Sequence, residues 1–62
     1  MIEIGSEVRI KDNAYEGSLE PDNILARGKI GTVIYIRNDE IEVLTEDDEF
    51  QLLTIDEVEE IK

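Results

Sequence analysis

The chain contains no cysteine and no histidine, one proline, one phenylalanine and no tryptophan. Without cysteine there is neither a disulfide nor a thiolate zinc site, and without histidine no imidazole ligand and no ordinary general base. The usual staples of a small scaffold are therefore missing, and closure of the fold or association with a partner must take their place. Positive charge is scarce too: six Lys and Arg stand against seventeen Asp and Glu, for a net charge of −11 in 62 residues. No apolar run approaches the ~20 residues of a membrane span, and no signal-peptide pattern is recognisable. The expectation is one soluble, cytoplasmic domain covering residues 1–62.

What is present leans towards β structure. Fourteen of the residues are Val or Ile and only three are aromatic, a composition suited to pleated, half-buried surfaces. The charge is uneven: residues 1–38 hold six acids and five bases, residues 39–62 eleven acids and one base. In the acidic half the carboxylates alternate with Ile41, Val43, Leu44, Phe50, Leu52, Leu53, Ile55, Val58 and Ile61. Interleaving of that kind predicts folded strands with an apolar inner face and an acidic outer face, not a solvated tail.

Glu7-Val8-Arg9-Ile10-Lys11 alternates cleanly and predicts a half-buried strand with Val8 and Ile10 inward. Residues 12–28 are dense in turn formers (Asn13, Gly17, Ser18, Pro21, Asp22, Asn23, Gly28) and read as a long loop. A short helical turn beginning near Pro21 fits there, with Leu19, Ile24 and Leu25 covering one end of the core. Lys29 to Arg37 is the strongest strand, central and bent, with Gly31 placed for a bulge or a close backbone approach. Asn38-Asp39 forms a tight turn, Glu40 to Thr45 the return strand, Glu46 to Glu49 the next turn, and Phe50 to Thr54 the next strand. Thr54-Ile55-Asp56-Glu57 has the form of a capping box opening one helical turn, after which the chain closes a last short strand through Ile61. The predicted class is all-β: a small five-stranded barrel with a long first loop and one helical turn before the last strand.

Three segments carry a family resemblance: Ile4-Gly5-Ser6-Glu7-Val8-Arg9-Ile10, Gly28-Lys29-Ile30-Gly31-Thr32-Val33, and Phe50 with Ile55-Asp56-Glu57-Val58. Together they resemble the SH3-like barrel superfamily over essentially the whole chain. The middle segment is similar to the Gly-x-x-Gly-x-Val heart of KOW-type modules. The element order resembles the small barrel subunits of photosynthetic electron-transfer complexes. The resemblance implies a five-stranded SH3-like barrel that works by docking to larger partners. The chain departs from both groups in its charge, since nucleic-acid contact and ferredoxin docking both call for positive surface.

Chemistry finds little footing in these residues. Ser6, Ser18 and the threonines have no base beside them and read as turn, cap and strand residues. Gly28 and Gly31 lie three apart, with no Lys-Ser/Thr after them, so they form no phosphate loop. Asp12 to Asn23 has the length of a calcium loop but places Ala14 and Asn23 where acidic ligands are needed. The chain is therefore expected to be non-catalytic, with no cofactor and no metal.

A −11 surface repels phosphates, so direct nucleic-acid binding is disfavoured and a basic protein, or a nucleic-acid-binding protein, is the expected partner. The candidate docking face is Asp39, Glu40, Glu42, Glu46, Asp47, Asp48 and Glu49. Glu40, Glu42 and Glu46 fall on one strand face at spacings of about 6.7 Å, and the turn acids extend the row. The regular row suggests a regulatory or inhibitory module of the phage type, a viral nucleic-acid mimic occupying a host factor's binding site. A second possibility is a structural accessory subunit held through loop residues Tyr15, Leu19, Ile24 and Leu25. A third is a KOW-like RNA contact through Arg9, Lys11 and Tyr15, the tyrosine serving as a stacking platform.

Overall fold

The structure is a computed structural model that describes residues 1–61. Five strands form one antiparallel sheet: β1 (Glu7–Ile10), β2 (Ile30–Arg37), β3 (Glu40–Thr45), β4 (Phe50–Thr54) and β5 (Val58–Glu60). Their order across the sheet is β4-β3-β2-β1-β5. A short helix α1 (Pro21–Ala26) interrupts the long first loop, and a 3₁₀ turn (Ile55–Glu57) joins β4 to β5. The all-β class, the strand boundaries to within a residue, the central place of β2 and the turn before the last strand all agree with the pattern of the sequence.

Nine apolar side chains form the core: Val8, Ile10, Ala14, Ala26, Val33, Ile41, Val43, Leu53 and Val58. They come from all five strands and from the long loop, yet none is more than 3% exposed. A single flat sheet of this size leaves its inner face wet, so the sheet must curl round that face. The first loop supplies the plug. Ala14 and Ala26 are the residues that enter the core there, whereas Leu19, Ile24 and Leu25 point outward. The expectation that the larger loop side chains Leu19, Ile24 and Leu25 cover the core end is thus corrected: the loop turns Ala14 and Ala26 into the core and packs Tyr15 against it.

Bending of the sheet is visible at two places in β2. Gly31 pairs with Thr45, and a Cβ added at position 31 would stand only 2.5 Å from the Leu44 carbonyl oxygen and 2.6 Å from Val43 Cγ1. Backbone approaches this close admit glycine alone. The register break follows slightly later, between Val33 and Tyr35, so the close approach and the bulge are separate features.

Outer strands β4 and β5 share no ladder among the described residues. The seam between them is crossed by side chains instead. Tyr15, from the first loop, places its hydroxyl 2.9 Å from the Leu52 carbonyl of β4 and 2.9 Å from the Gln51 amide oxygen. Its backbone N–H donates to Glu57 Oε2 at 2.7 Å, just before β5. Glu57 also accepts from the Thr54 N–H at 2.9 Å, which is the backbone half of the predicted capping box.

Candidate functional site

The acidic residues expected to form one row are divided by the register of β3. Residues Glu40, Glu42 and Leu44 alternate outward, with Ile41, Val43 and Thr45 inward. Leu44 therefore stands where the row needs a carboxylate, and Glu46 has already left the strand for the turn. Two acidic ends result, separated by the length of β3, about 17 Å at ~3.3 Å per residue. Asp39 and Glu40 lie at one end, beside Asp56 on the 3₁₀ turn, whose neighbour Ile55 donates its N–H to the Asp39 carbonyl. Glu46, Asp47, Asp48 and Glu49 lie at the other. The continuous row is corrected to two end clusters with Glu42 alone between them.

The turn cluster is partly neutralised. Lys29 Nζ lies 2.7 Å from Asp47 and 2.7 Å from Glu49, an ion pair shared by two carboxylates. Thr45, buried on the inner side, donates from its hydroxyl to Asp47 and accepts from the Glu49 N–H. The bonds from Lys29 and then Thr45 hold the Asp47 carboxyl down at about 2, while Asp47 and Glu49 in turn raise the Lys29 ammonium above its ordinary value. Asp39, Glu40, Glu42, Glu46 and Asp48 make no ion pair among the described residues.

Between the two acidic ends lies a surface that the acidic sequence conceals. Three cross-strand rows cover the outer face of β2, β3 and β4: Thr32–Leu44–Phe50, Tyr35–Glu42–Leu52 and Arg37–Glu40–Thr54. Phe50, Leu52 and Tyr35 are 64%, 62% and 52% exposed. Two of the three aromatic residues in the chain, including its only phenylalanine, thus face outward. Tyr35, Arg37, Glu40, Ile41 and Leu52 line a depression of about 210 Å³ in this face. Aromatic rings bring more apolar area than any other side chains, and a contiguous exposed group of them marks a contact surface.

The reason is the phase of β4. Phe50-Gln51-Leu52-Leu53 allows only alternate residues inward, and Gln51 and Leu53 take those places. Burying a glutamine is tolerable because its amide oxygen meets the Tyr15 hydroxyl; no buried side-chain polar atom is left without a partner among the described residues. The expected apolar-in, acidic-out pattern therefore fails for Leu44, Phe50 and Leu52, which lie outside with the acids. The odd sequence signal was Gln51 among apolar neighbours.

The remaining candidates are distributed differently. Leu19 and Leu25 are 90% and 67% exposed and Ile24 is partly so, on and before α1, away from the sheet face. Tyr15 is half-buried and engaged at both its amide and its hydroxyl, so it is a seam residue and not an outward contact. Burial, with the nearby Glu57 carboxylate, pushes its hydroxyl up to about 12. Glu57 itself is drawn the other way: burial pushes its carboxyl up, but the donors from Thr54 and Tyr15 outweigh that, leaving it below the ordinary value. Arg9 is bound to Glu59 at 2.7 Å and to Asp12 at 2.9 Å. Arg27, unremarked in the sequence, ties the loop together through its Nε to the Ala14 carbonyl at 2.7 Å.

No group of three or more potential metal ligands occurs among the described residues, and no helix there is long and apolar enough to cross a membrane. No family model, curated protein or solved structure matches this chain.

Proposed function

We propose that this chain is a small, acidic, non-catalytic protein-binding module acting in the cytoplasm, a regulatory or inhibitory protein docking on a basic surface of a larger partner. One observation carries the reading: four exposed carboxylates without ion-pair partners among the described residues (Asp39, Glu40, Glu46, Asp48) flank a face on which Tyr35, Phe50 and Leu52 are exposed and Leu44 is half-exposed, with the unpaired Glu42 between Tyr35 and Leu52. An apolar centre within a charged rim is the usual anatomy of a protein interface, with the centre supplying affinity and the rim steering and specificity. The division of the acids by Leu44 favours this mixed surface over the evenly spaced charges a nucleic-acid mimic requires. The partner is a basic or nucleic-acid-binding protein, and the SH3-like resemblance is in keeping with such docking.

The test is capture of the partner from the native host, eluted with a salt gradient, using the chain and its Glu40→Lys/Glu42→Lys/Glu46→Lys variant. Elution at rising salt from the chain, and no capture by a folded variant, is the expected result. Equal capture by both refutes the reading. A second reading rests on the exposure of Leu19, Ile24 and Leu25: a structural accessory subunit bound through the long loop. Salt-insensitive capture, lost on Leu19→Ser/Leu25→Ser, identifies that case.

A further inference from the structure

Strand β4 lies at the sheet edge, where the Tyr15 hydroxyl from the first loop meets it at the Leu52 carbonyl, and its Phe50–Leu52 stretch carries no charge, proline or bulge. Along the ladder, Ile55 donates to the Asp39 carbonyl and Thr45 to the Glu49 carbonyl. Those bonds fix the hydrogen-bonded pairs as Ile41/Leu53 and Val43/Gln51, so the N–H and C=O groups of Phe50, Leu52 and Thr54 point away from β3. Two of these are taken: the Leu52 carbonyl by the Tyr15 hydroxyl and the Thr54 N–H by Glu57. The N–H and C=O of Phe50 and the N–H of Leu52 have no protein partner among the described residues. Edge strands are ordinarily blunted by charge, proline or a bulge. Phe50-Gln51-Leu52 has no charge and no proline, and its register is unbroken.

We infer that this edge accepts an added antiparallel strand: a short extended segment of another protein, with alternate apolar side chains and basic residues at its ends. This rests on the docking reading and deepens it by naming the backbone that binds. Main-chain bonds to the Phe50 N–H and C=O and to the Leu52 N–H supply the pairing, and the guest's outward side chains extend the apolar face to which Phe50 and Leu52 belong. Charge chooses the occupant. The edge begins at Glu46–Glu49 and ends beside Asp56, so a basic-flanked segment is attracted at both ends, whereas a second copy of a −11 chain brings acid against acid.

The test uses the ¹⁵N-labelled full chain and the peptide acetyl-Lys-Lys-Val-Thr-Val-Lys-Lys-amide, with acetyl-Lys-Lys-Ser-Gly-Ser-Lys-Lys-amide as a control of equal charge. Expected are shifts and slower exchange, by about tenfold or more, at the Phe50 and Leu52 amides with the first peptide. Binding of the control is expected to be weaker by about tenfold or more, because it has little tendency to pair as a strand. Leu52→Pro removes a donor that the β3 ladder does not use and is expected to abolish the protection in a protein that remains folded. If that variant does not fold, Leu52→Lys, a natural edge blocker, replaces it with the same expectation. Equal binding of both peptides through the acidic turns, without protection at Phe50 and Leu52, overturns the edge inference and leaves the docking reading standing. Absence of binding by both peptides overturns it as well, the docking reading then resting on its own capture experiment. Protection of the same amides by self-association, without peptide, also overturns it and identifies a second copy as the occupant.

Discussion

Tyr15 holds three parts of the chain together: the first loop, β4 through Leu52, and the 3₁₀ turn before β5 through Glu57. It does so from a left-handed backbone conformation, φ 57°, which a bulky residue adopts only when its contacts compensate. Tyr15→Phe keeps the ring but strands the buried Gln51 amide, at an expected cost of ~1–3 kcal/mol. Urea unfolding of both proteins measures it, against a total stability of about 3–9 kcal/mol for a chain this short. The hydroxyl titrates at about 12 in the fold against 10.0 ordinarily, so the folded state keeps a proton that the unfolded state loses. Stability therefore falls between about pH 10 and 12 in the parent, and this alkaline component disappears in Tyr15→Phe.

Asp47 works at the opposite end of the pH scale. Its carboxyl sits at about 2 in the fold against an ordinary 3.8, so the contacts with Lys29 and Thr45 stabilise the protein fully above about pH 5. That contribution is lost as the pH falls through about 4 to 2. The useful quantity is the difference between parent and variant. The Tm gap between parent and Asp47→Asn is expected to be open at pH 6 and to narrow steadily as the pH falls from about 4 to 2.

Among the elements, β2 and β4 were read with different success. β2 was legible because β-branched residues run almost without break and Gly31 interrupts them at the bend. Gly31→Ala must push Cβ against the Leu44 backbone oxygen, so that the β2–β3 pairing has to shift. The expected loss is about 3 kcal/mol, seen as a lower urea midpoint. The boundaries of β4 were equally legible, but its phase was not. Phe50-Gln51-Leu52-Leu53 buries either Phe50 and Leu52 or Gln51 and Leu53, and strand pattern alone favours the first. The second is adopted because a tyrosine thirty-six positions away satisfies Gln51. That choice puts Phe50 and Leu52 on the outer face with Tyr35 and Leu44.

At the scale of the whole molecule, carboxylates far outnumber the cations that meet them: Arg9 and Lys29 each bridge two acids, and most others face solvent unpaired. Net repulsion then outweighs the specific pairs, and screening is expected to stabilise the fold. Raising NaCl to ~0.5 M should increase Tm by about 4–8 °C, equivalent to ~1 kcal/mol in a domain of this size. Partner binding through the acidic rim is expected to weaken over the same range, so stability and affinity move in opposite directions with salt.

The sequence by itself determined the all-β class, the five strands, the capped turn before β5 and the acidity of the second half. Those features depend on local alternation, turn residues and composition, which neighbours along the chain suffice to specify. Only the tertiary structure decided which acids stand together and which apolar residues face out. Both follow from strand register, set by contacts between residues distant in the chain: Tyr15 with Gln51, Lys29 with Asp47 and Glu49. A shift of one residue in β4 exchanges its inner and outer faces, and no local pattern resists that exchange. The candidate site changed for that reason from a line of acids to an apolar face with an acidic rim.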